Sequence, residues 1–424
     1  MDLAEDLLPH MRRVQSAERD LRDLSLLWQM IEASSAISCP DEAESILPML
    51  AQTRSRFASL QQRLLDQLGS GSVAELRDEL ASTAQCTVDI LVRNLYERTA
   101  DVGFLATDEP LRRFCAADAL ERDTQRGPLL QRLREYRAKY SVYDDIVLLA
   151  PDGRVLARLA DSAAAQTSSD PVLAAALAGR GYAERYGRSD LGDDETPVLL
   201  YGHRVDDGAG RCVGVLVLRF RLADEMERIF ASVADERRYA ALVLLDGERR
   251  VVASNDNAHV PLGSRLQTAA CEGLSLITFG GREYLAVTCA AAGYQGYAGP
   301  GWRAQAMVSL TTAFRSRHDS VDDSAHLTLD NGELAAIRAE VDAINADLRR
   351  VVWNGRLVAG LQGGAQARLK AVLQQINEAG SRTRDRVALA IQDLYRGSLG
   401  RATQQAQSLA RLAADIMDRN LYEG

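Results

Sequence analysis

The apolar residues of this chain change their period twice, and that change limits what it can fold into. Leu3, Leu7, Leu8, Met11 and Val14, then Leu21, Leu24, Leu27 and Trp28, recur at three- and four-residue steps, which describes one face of a helix. Ser38-Cys39-Pro40 ends that pattern. A second helix is predicted from about Asp41 to Leu68, with Gly69-Ser70-Gly71 as its stop. Ser72-Val-Ala-Glu75 then reads as a capping box for a third helix over about 73–105. Three such helices would form an antiparallel bundle. Pro110 and the charged stretch to Gly127-Pro128 read as a joint, and Leu129–Tyr140 is helical again.

From residue 146 the period becomes that of strands. Ile146–Ala150, a Pro151-Asp-Gly153 turn and Arg154–Leu159 make a hairpin. Asp170-Pro171 opens a short alanine-rich helix that ends at Gly179. Strands follow at Val198–Arg204 and Cys212–Phe220, then a helix at about Asp224–Ser232. The scheme then recurs: Ala241–Leu245, an Asp246-Gly247 turn and Arg249–Ser254, followed by strands at Ser275–Phe279, Arg282–Ala290 and Trp302–Leu310. These blocks are too short for parallel βαβ winding, so antiparallel sheets with flanking helices are expected. Residues 315–332 read as a polar linker. From Glu333 onward the helical period returns, with Leu334, Ile337, Val341, Ile344 and Leu348 and then Leu369, Leu373 and Ile376 in phase.

One word occurs twice in this frame. DILVRNLYE at Asp89–Glu97 returns as DIMDRNLYE at Asp415–Glu423, with only Leu91 and Val92 replaced, by Met417 and Asp418. The repeat predicts a helix–sensor–helix organisation whose second copy opens a further module. As a local feature it reads as a packing joint: Leu95 and Tyr96 pack, while Arg93, Asn94 and Glu97 meet a neighbouring domain or a second copy.

Composition excludes several classes. The formal charge of −9 argues against a general nucleic-acid binder. No stretch of about 18 apolar residues is present, so no membrane-inserted helix is expected. The N-terminus has no secretory h-region, and the chain is expected to be cytoplasmic. The six cysteines form no CxxC pair and read as free thiols. No nucleophile–base pair or acid pair stands out, so no enzyme activity and no cofactor are expected. His318 and His326, with Asp319, Asp322 and Asp323 between them, match no closed metal site and read as linker polarity. Gly293–Gly301 (GYQGYAGPG) looks suited to phosphate, but it precedes a strand and not a helix, and reads as a hairpin loop.

Two blocks opening "strand, Asp-Gly, strand", at Asp145–Leu156 and Leu242–Val252, resemble the double Cache sensor domain, a pair of PAS-like lobes on a long stem helix. Val213–Phe230 resembles the end of the distal lobe with its return helix, and Trp302–Leu310 the closing strand of the proximal lobe. The words RNLYE and Val351–Gly355 (VVWNG), with Gln374-Gln-Ile-Asn377, are similar to cytosolic Cache-containing proteins of the chemotaxis-related type. The resemblance implies an α+β fold. It also implies an order of parts: an N-terminal helical hairpin (1–72), a stem helix and joint (73–128), a distal lobe (129–235), a proximal lobe (236–315), a linker (316–332) and a C-terminal helical segment (333–424).

The resemblance further implies a small-molecule ligand in the distal lobe, beneath a covering loop at about Tyr182–Val198. Tyr143, Tyr182, Tyr186, Arg188, Asp190, Tyr201 and His203 are the candidate ligand-binding residues. An arginine can fork to a carboxylate, an aspartate can accept from an ammonium, and tyrosine rings give apolar walls with a polar edge. Each also has an ordinary reading. Arg188 and Asp190 can simply pair in a surface loop, and Tyr201 and His203 share one face of a strand that is either solvent or core. The Arg-Trp-Tyr signature of the amino-acid-binding subclass is incomplete, because Tyr136–Tyr143 has Arg137 and three tyrosines but no tryptophan. A homodimer along the stem helices and a chemotaxis-type signalling partner are expected. The alternative is a non-catalytic scaffold or dimerisation protein whose Cache fold is degenerate.

Overall fold

The computed structural model describes residues 6–38, 40–160, 166–192, 196–234, 240–268 and 273–314, residues 335–352 apart from 338, 345, 348 and 351, and residues 370–394, 406 and 410. The second copy of the repeated word, His318, His326 and the VVWNG segment beyond Val352 lie outside the described residues, as do Cys39 and Cys271. The chain divides into two compact units.

The first unit is helical. It holds α1 (Arg12–Ser38), the first part of α2 (Pro40–Ala106) and the helical residues of 335–352 and 370–394. Four helical segments share one core: Leu21, Leu24, Trp28 and Ile31 from α1, Leu50, Phe57, Leu60 and Leu64 from α2, Ile337 and Ile344, and Val372, Leu373, Ile376, Val387 and Ile391. Polar contacts tie the same segments together. Trp28 Nε1 donates to Thr383 Oγ1 at 3.2 Å, Arg56 pairs with Asp347 at 2.6 Å, Arg386 pairs with Asp20 at 2.9 Å, and Arg63 pairs with Glu340. The N-terminal helices therefore bundle with the C-terminal segment, not with a third N-terminal helix.

Helix α2 corrects the expected stop at Gly69–Gly71. It runs 67 residues without a break, about 100 Å at 1.5 Å per residue. Ser70 and Ser72 do not cap a new helix. Their hydroxyls donate back to the carbonyls of Asp66 and Leu68 within the same one. The buried stripe keeps its phase across the glycines, through Leu60, Leu64 and Leu68 to Leu76, Leu80 and Ala84, so burial on both sides outweighs the helix-breaking tendency of the glycines. A Cβ on Gly71 would meet nothing within 4 Å. Gly71→Ala is expected to stabilise the chain by about 0.5–1 kcal/mol. Chemical denaturation monitored at 222 nm measures this, and destabilisation would show that the glycine is needed for bending.

The second unit, Ala81–Met307, is α+β. After α2 come α3 (Glu109–Ala116) and α4 (Ala119–Lys139). Helix α4 passes through Gly127-Pro128, where the sequence suggested a joint. It starts earlier because the Asp118 carboxylate accepts from the backbone N–H groups of Leu120 and Glu121. The first sheet has β1 (Tyr143–Leu149), β2 (Val155–Arg158), β3 (Ala183–Gly187), β4 (Val198–Asp206) and β5 (Cys212–Phe220), with α5 (Pro171–Ala178) between β2 and β3 and α6 (Leu222–Val233) after β5. Its order is β2-β1-β5-β4-β3. The second sheet has β6 (Ala241–Leu245), β7 (Val251–Ser254), β8 (Ser275–Phe279), β9 (Arg282–Ala290) and β10 (Arg303–Ser309), in the order β7-β6-β10-β9-β8. Strand for strand, the two orders are the same.

The opening hairpins also match in detail. The pairing slips by one residue at Leu148/Leu149 in one sheet and at Leu244/Leu245 in the other. The turns solve this bulge differently. Gly153 has φ +90°, and a Cβ there would come within 2.4 Å of the Ser168 carbonyl oxygen, so only glycine fits. In the second lobe the left-handed residue is Arg249, at φ 65°, and the Asp246 carboxylate braces the turn by accepting from the N–H groups of Glu248 and Arg250.

Candidate functional site

The distal sheet has two unlike faces. On one, Val147, Leu149, Leu200, Val215 and Val217 pack with Val172 and Ala176 of α5 and with Leu191. Helix α5 lies close because β4 carries Gly202 opposite it: a Cβ there would sit 2.9 Å from a Val172 methyl. This face is closed by the lobe's own side chains. The segment predicted to cover a ligand is pinned to it. It is also partly a strand, β3, where a loop was expected.

The pins are specific. Asp170 caps α5 through the Val172 N–H and pairs with Arg185 at 2.7 Å. Asp190 accepts from Ser168 Oγ at 2.6 Å and from the Ser169 N–H at 2.7 Å. Arg158 binds the buried Asp145 at 2.5 Å and donates to the Leu191 carbonyl at 3.0 Å, and Arg219 reaches the same carbonyl while pairing with Asp144 at 2.6 Å. Arg188 has an exposed side chain, and its carbonyl accepts from Arg185 at 3.0 Å.

The opposite face turns toward α2 and the second lobe. Since Leu200 lies under α5, strand alternation sends Tyr201 and His203 to the other side. Tyr143 is fully buried there. Its hydroxyl donates to Asp101 at 2.6 Å, and the Arg98 guanidinium lies 5.8 Å from its ring centre. Burial, with Asp101 nearby, holds the Tyr143 phenol well above the ordinary tyrosine range, although Arg98 pulls the other way. His203 Nδ1 lies 2.7 Å from the Arg204 carbonyl oxygen, and a Cβ on Gly103 of α2 would be 3.9 Å from its ring.

Two of the remaining candidates, Tyr182 and Tyr201, meet at the junction of the lobes around a residue that the sequence did not single out. Glu184 of β3 is mostly buried. Its Oε1 accepts from Tyr201 at 3.2 Å, and its two oxygens lie 2.8 and 2.9 Å from the hydroxyl of Tyr297, which comes from the loop between β9 and β10. Tyr182, at 42% exposure, stands at the edge with its ring 6.4 Å from that of Tyr297. Tyr186 packs edge-on against Trp302 at 5.0 Å, and burial, helped by Asp246, pushes its phenol up to about 12. Burial raises the Glu184 carboxyl above its ordinary value, against the lowering effect of Tyr297 and Tyr201. A signal did exist for Glu184: strand spacing places it on one side with Tyr182 and Tyr186.

The first copy of the repeated word fastens α2 to both lobes. Asn94 donates to Glu225 of α6 at 2.5 Å. Tyr96 donates to Gln295 at 2.9 Å and packs against Tyr294 and Tyr297. Arg93 lies 5.7 Å from the Tyr294 ring centre. A Cβ on Gly299 would come within 2.9 Å of a Val92 methyl, so the glycine-rich segment 293–301 is a loop pressed onto the stem.

In the helical unit, a shallow open groove of about 590 Å³ runs between α1 and α2, lined by Ala33, Ala36, Leu47, Pro48 and Ala51 with the Glu32–Arg54 pair at 3.2 Å. No described helix is long and apolar enough to cross a membrane.

No protein-family model matches the chain, and no curated protein matches it. Among solved structures it is similar to the sensor domain of the V. cholerae histidine kinase DctB, at 12% identity over 55% of this chain and 97% of that one, with a TM-score of 0.44. It is also similar to the ligand-binding domain of the Pseudomonas fluorescens chemoreceptor CtaA in complex with L-leucine, at 13% identity, 57% and 98% coverage and a TM-score of 0.41. A third is the ligand-binding domain of the Pseudomonas aeruginosa PAO1 amino acid chemoreceptor PctB in complex with L-Gln, at 17% identity, 62% and 98% coverage and a TM-score of 0.40.

Proposed function

We propose that this protein is a non-catalytic double Cache sensor of the cytoplasmic, chemotaxis-related kind. A small molecule enters the distal lobe, and the lobe's displacement passes along the stem helix to a signalling partner, in a homodimer joined through its helices. The observation that supports this reading is the double fastening of one short stretch of α2. Asn94 holds the distal lobe's return helix, while Tyr96 holds the proximal lobe's loop. A shift of one lobe against the other then acts on the same turn of helix. The ligand would lie under the covering loop beside Arg188 and Asp190, on the face now closed by α5, since Tyr143, Tyr201 and His203 lie on the sheet's other face. It can bias the lobe only by its greater affinity for the opened form, because the pinned loop must yield first.

The scaffold reading is favoured by one observation, the face under α5 filled with the lobe's own side chains. A thermal-shift screen of the full chain against amino acids, organic acids and amines separates the two. A metabolite that raises the melting temperature, and loses its effect in Asp190→Asn, supports sensing. No stabilising compound across the screen, together with a tight constitutive dimer, supports the scaffold.

A further inference from the structure

Glu184 is a carboxylate in tyrosine surroundings with no basic partner among the described residues. The groups that face it are Tyr182 just before β3, Tyr201 from β4 and Tyr297 from the loop of the other lobe. Behind Tyr297, the stem helix presents Tyr96 to the same loop, and Arg93 lies against Tyr294. The contact joins parts of the chain 113 residues apart, one from each lobe.

We propose that Glu184 is a proton-controlled latch between the two lobes, closed on Tyr297 when neutral and loosened when ionised. A neutral carboxyl can donate its O–H to one tyrosine oxygen while accepting from another, so the contact persists without a buried charge. An ionised carboxyl here still accepts from the Tyr201 and Tyr297 hydroxyls, which favour the charge, but its burial with no cation facing it outweighs them and drives it toward water. Moving toward water takes it away from Tyr297, and with Tyr297 goes the loop that packs on Tyr96 of the stem. The raised carboxyl agrees in direction: the folded form binds the proton more readily than the unfolded chain does. The closed contact is therefore complete below the ordinary carboxylate value of 4.5 and is lost as pH rises through the raised one. The latch stands on the lobe junction and needs no ligand.

The test is hydrogen exchange of the full chain, followed by mass spectrometry on peptides covering 293–301 and corrected for intrinsic exchange, from about pH 5 to about pH 8. In the native sequence, protection of this loop is expected to fall with pH, by up to about tenfold per unit, the most that one proton can give. Glu184→Gln should hold its acid-side protection across the range. Tyr297→Phe, which keeps the ring and loses the hydroxyl, should show weaker protection with little pH dependence. Protection that is flat or rises with pH in the native chain overturns the latch. So does a Glu184→Gln variant that keeps the native pH profile.

Discussion

Asp145→Ala is expected to destabilise the second unit by about 3–5 kcal/mol, the usual result of leaving a buried charge without its partner. Asp145 is fully buried and Arg158 nearly so. The carboxylate accepts from Arg158 Nε at 2.5 Å and from the N–H groups of Ile146 and Ala160 at 2.9 Å. Removing it leaves the buried guanidinium with one carbonyl, that of Leu191, which Arg219 also reaches. That carbonyl belongs to the pinned covering loop, so the damage should spread there. Exchange should accelerate in peptides covering 143–160 and 188–220, while those covering 21–64 keep their protection. Removing both charges as Asp145→Asn with Arg158→Met should recover part of the loss, because the buried cation is gone. A change below about 1 kcal/mol for Asp145→Ala would mean that water reaches the pair and that this face of the lobe is already open.

The same residues show what a sequence can and cannot announce. The hairpins opening each lobe were legible because their signal is local: an apolar run, an Asp-Gly turn and a second run. Strand β3 was not. Ala183-Glu-Arg-Tyr-Gly187 offers one small apolar residue to the core and sends Glu184 and Tyr186 to a face that Tyr297 and Trp302 of the other lobe help to cover. The length of α2 was hidden by Gly69-Ser-Gly71, although the stripe from Leu60 to Ala84 stays in phase across it; phase was a better guide there than a breaker residue. The repeated word announced a joint, and its first copy is fastened to both lobes, but its partners Glu225 and Gln295 lie too far along the chain for any spacing rule. Tyr143, Tyr201 and Tyr186 were named for a pocket under the covering loop. Tyr143 and Tyr201 lie on the opposite face of the sheet, and Tyr186 packs on Trp302 of the second lobe, because alternation fixes that two sets of residues differ but not which set faces the stem.

Trp28→Ala is expected to destabilise the helical unit by about 3–5 kcal/mol, the range for removing a large aromatic side chain from a packed core. Trp28 is 3% exposed and sits in the cluster that joins α1, α2 and both C-terminal helical stretches. Its indole N–H donates to Thr383 Oγ1, whose own hydroxyl donates to the Ala379 carbonyl, so a local back-bonded threonine becomes the acceptor for a residue near the other end of the chain. The substitution removes the ring and that long-range bond together. Trp28→Phe should retain most of the packing and cost far less, since the threonine hydroxyl keeps its backbone partner. Exchange in peptides covering 21–38 and 372–391 should accelerate together in Trp28→Ala, because one core holds both, while 143–158 is unaffected. If only the 21–38 peptides respond, the C-terminal stretch folds on its own, and a relay from the lobes to that end would have to run by some route other than this bundle.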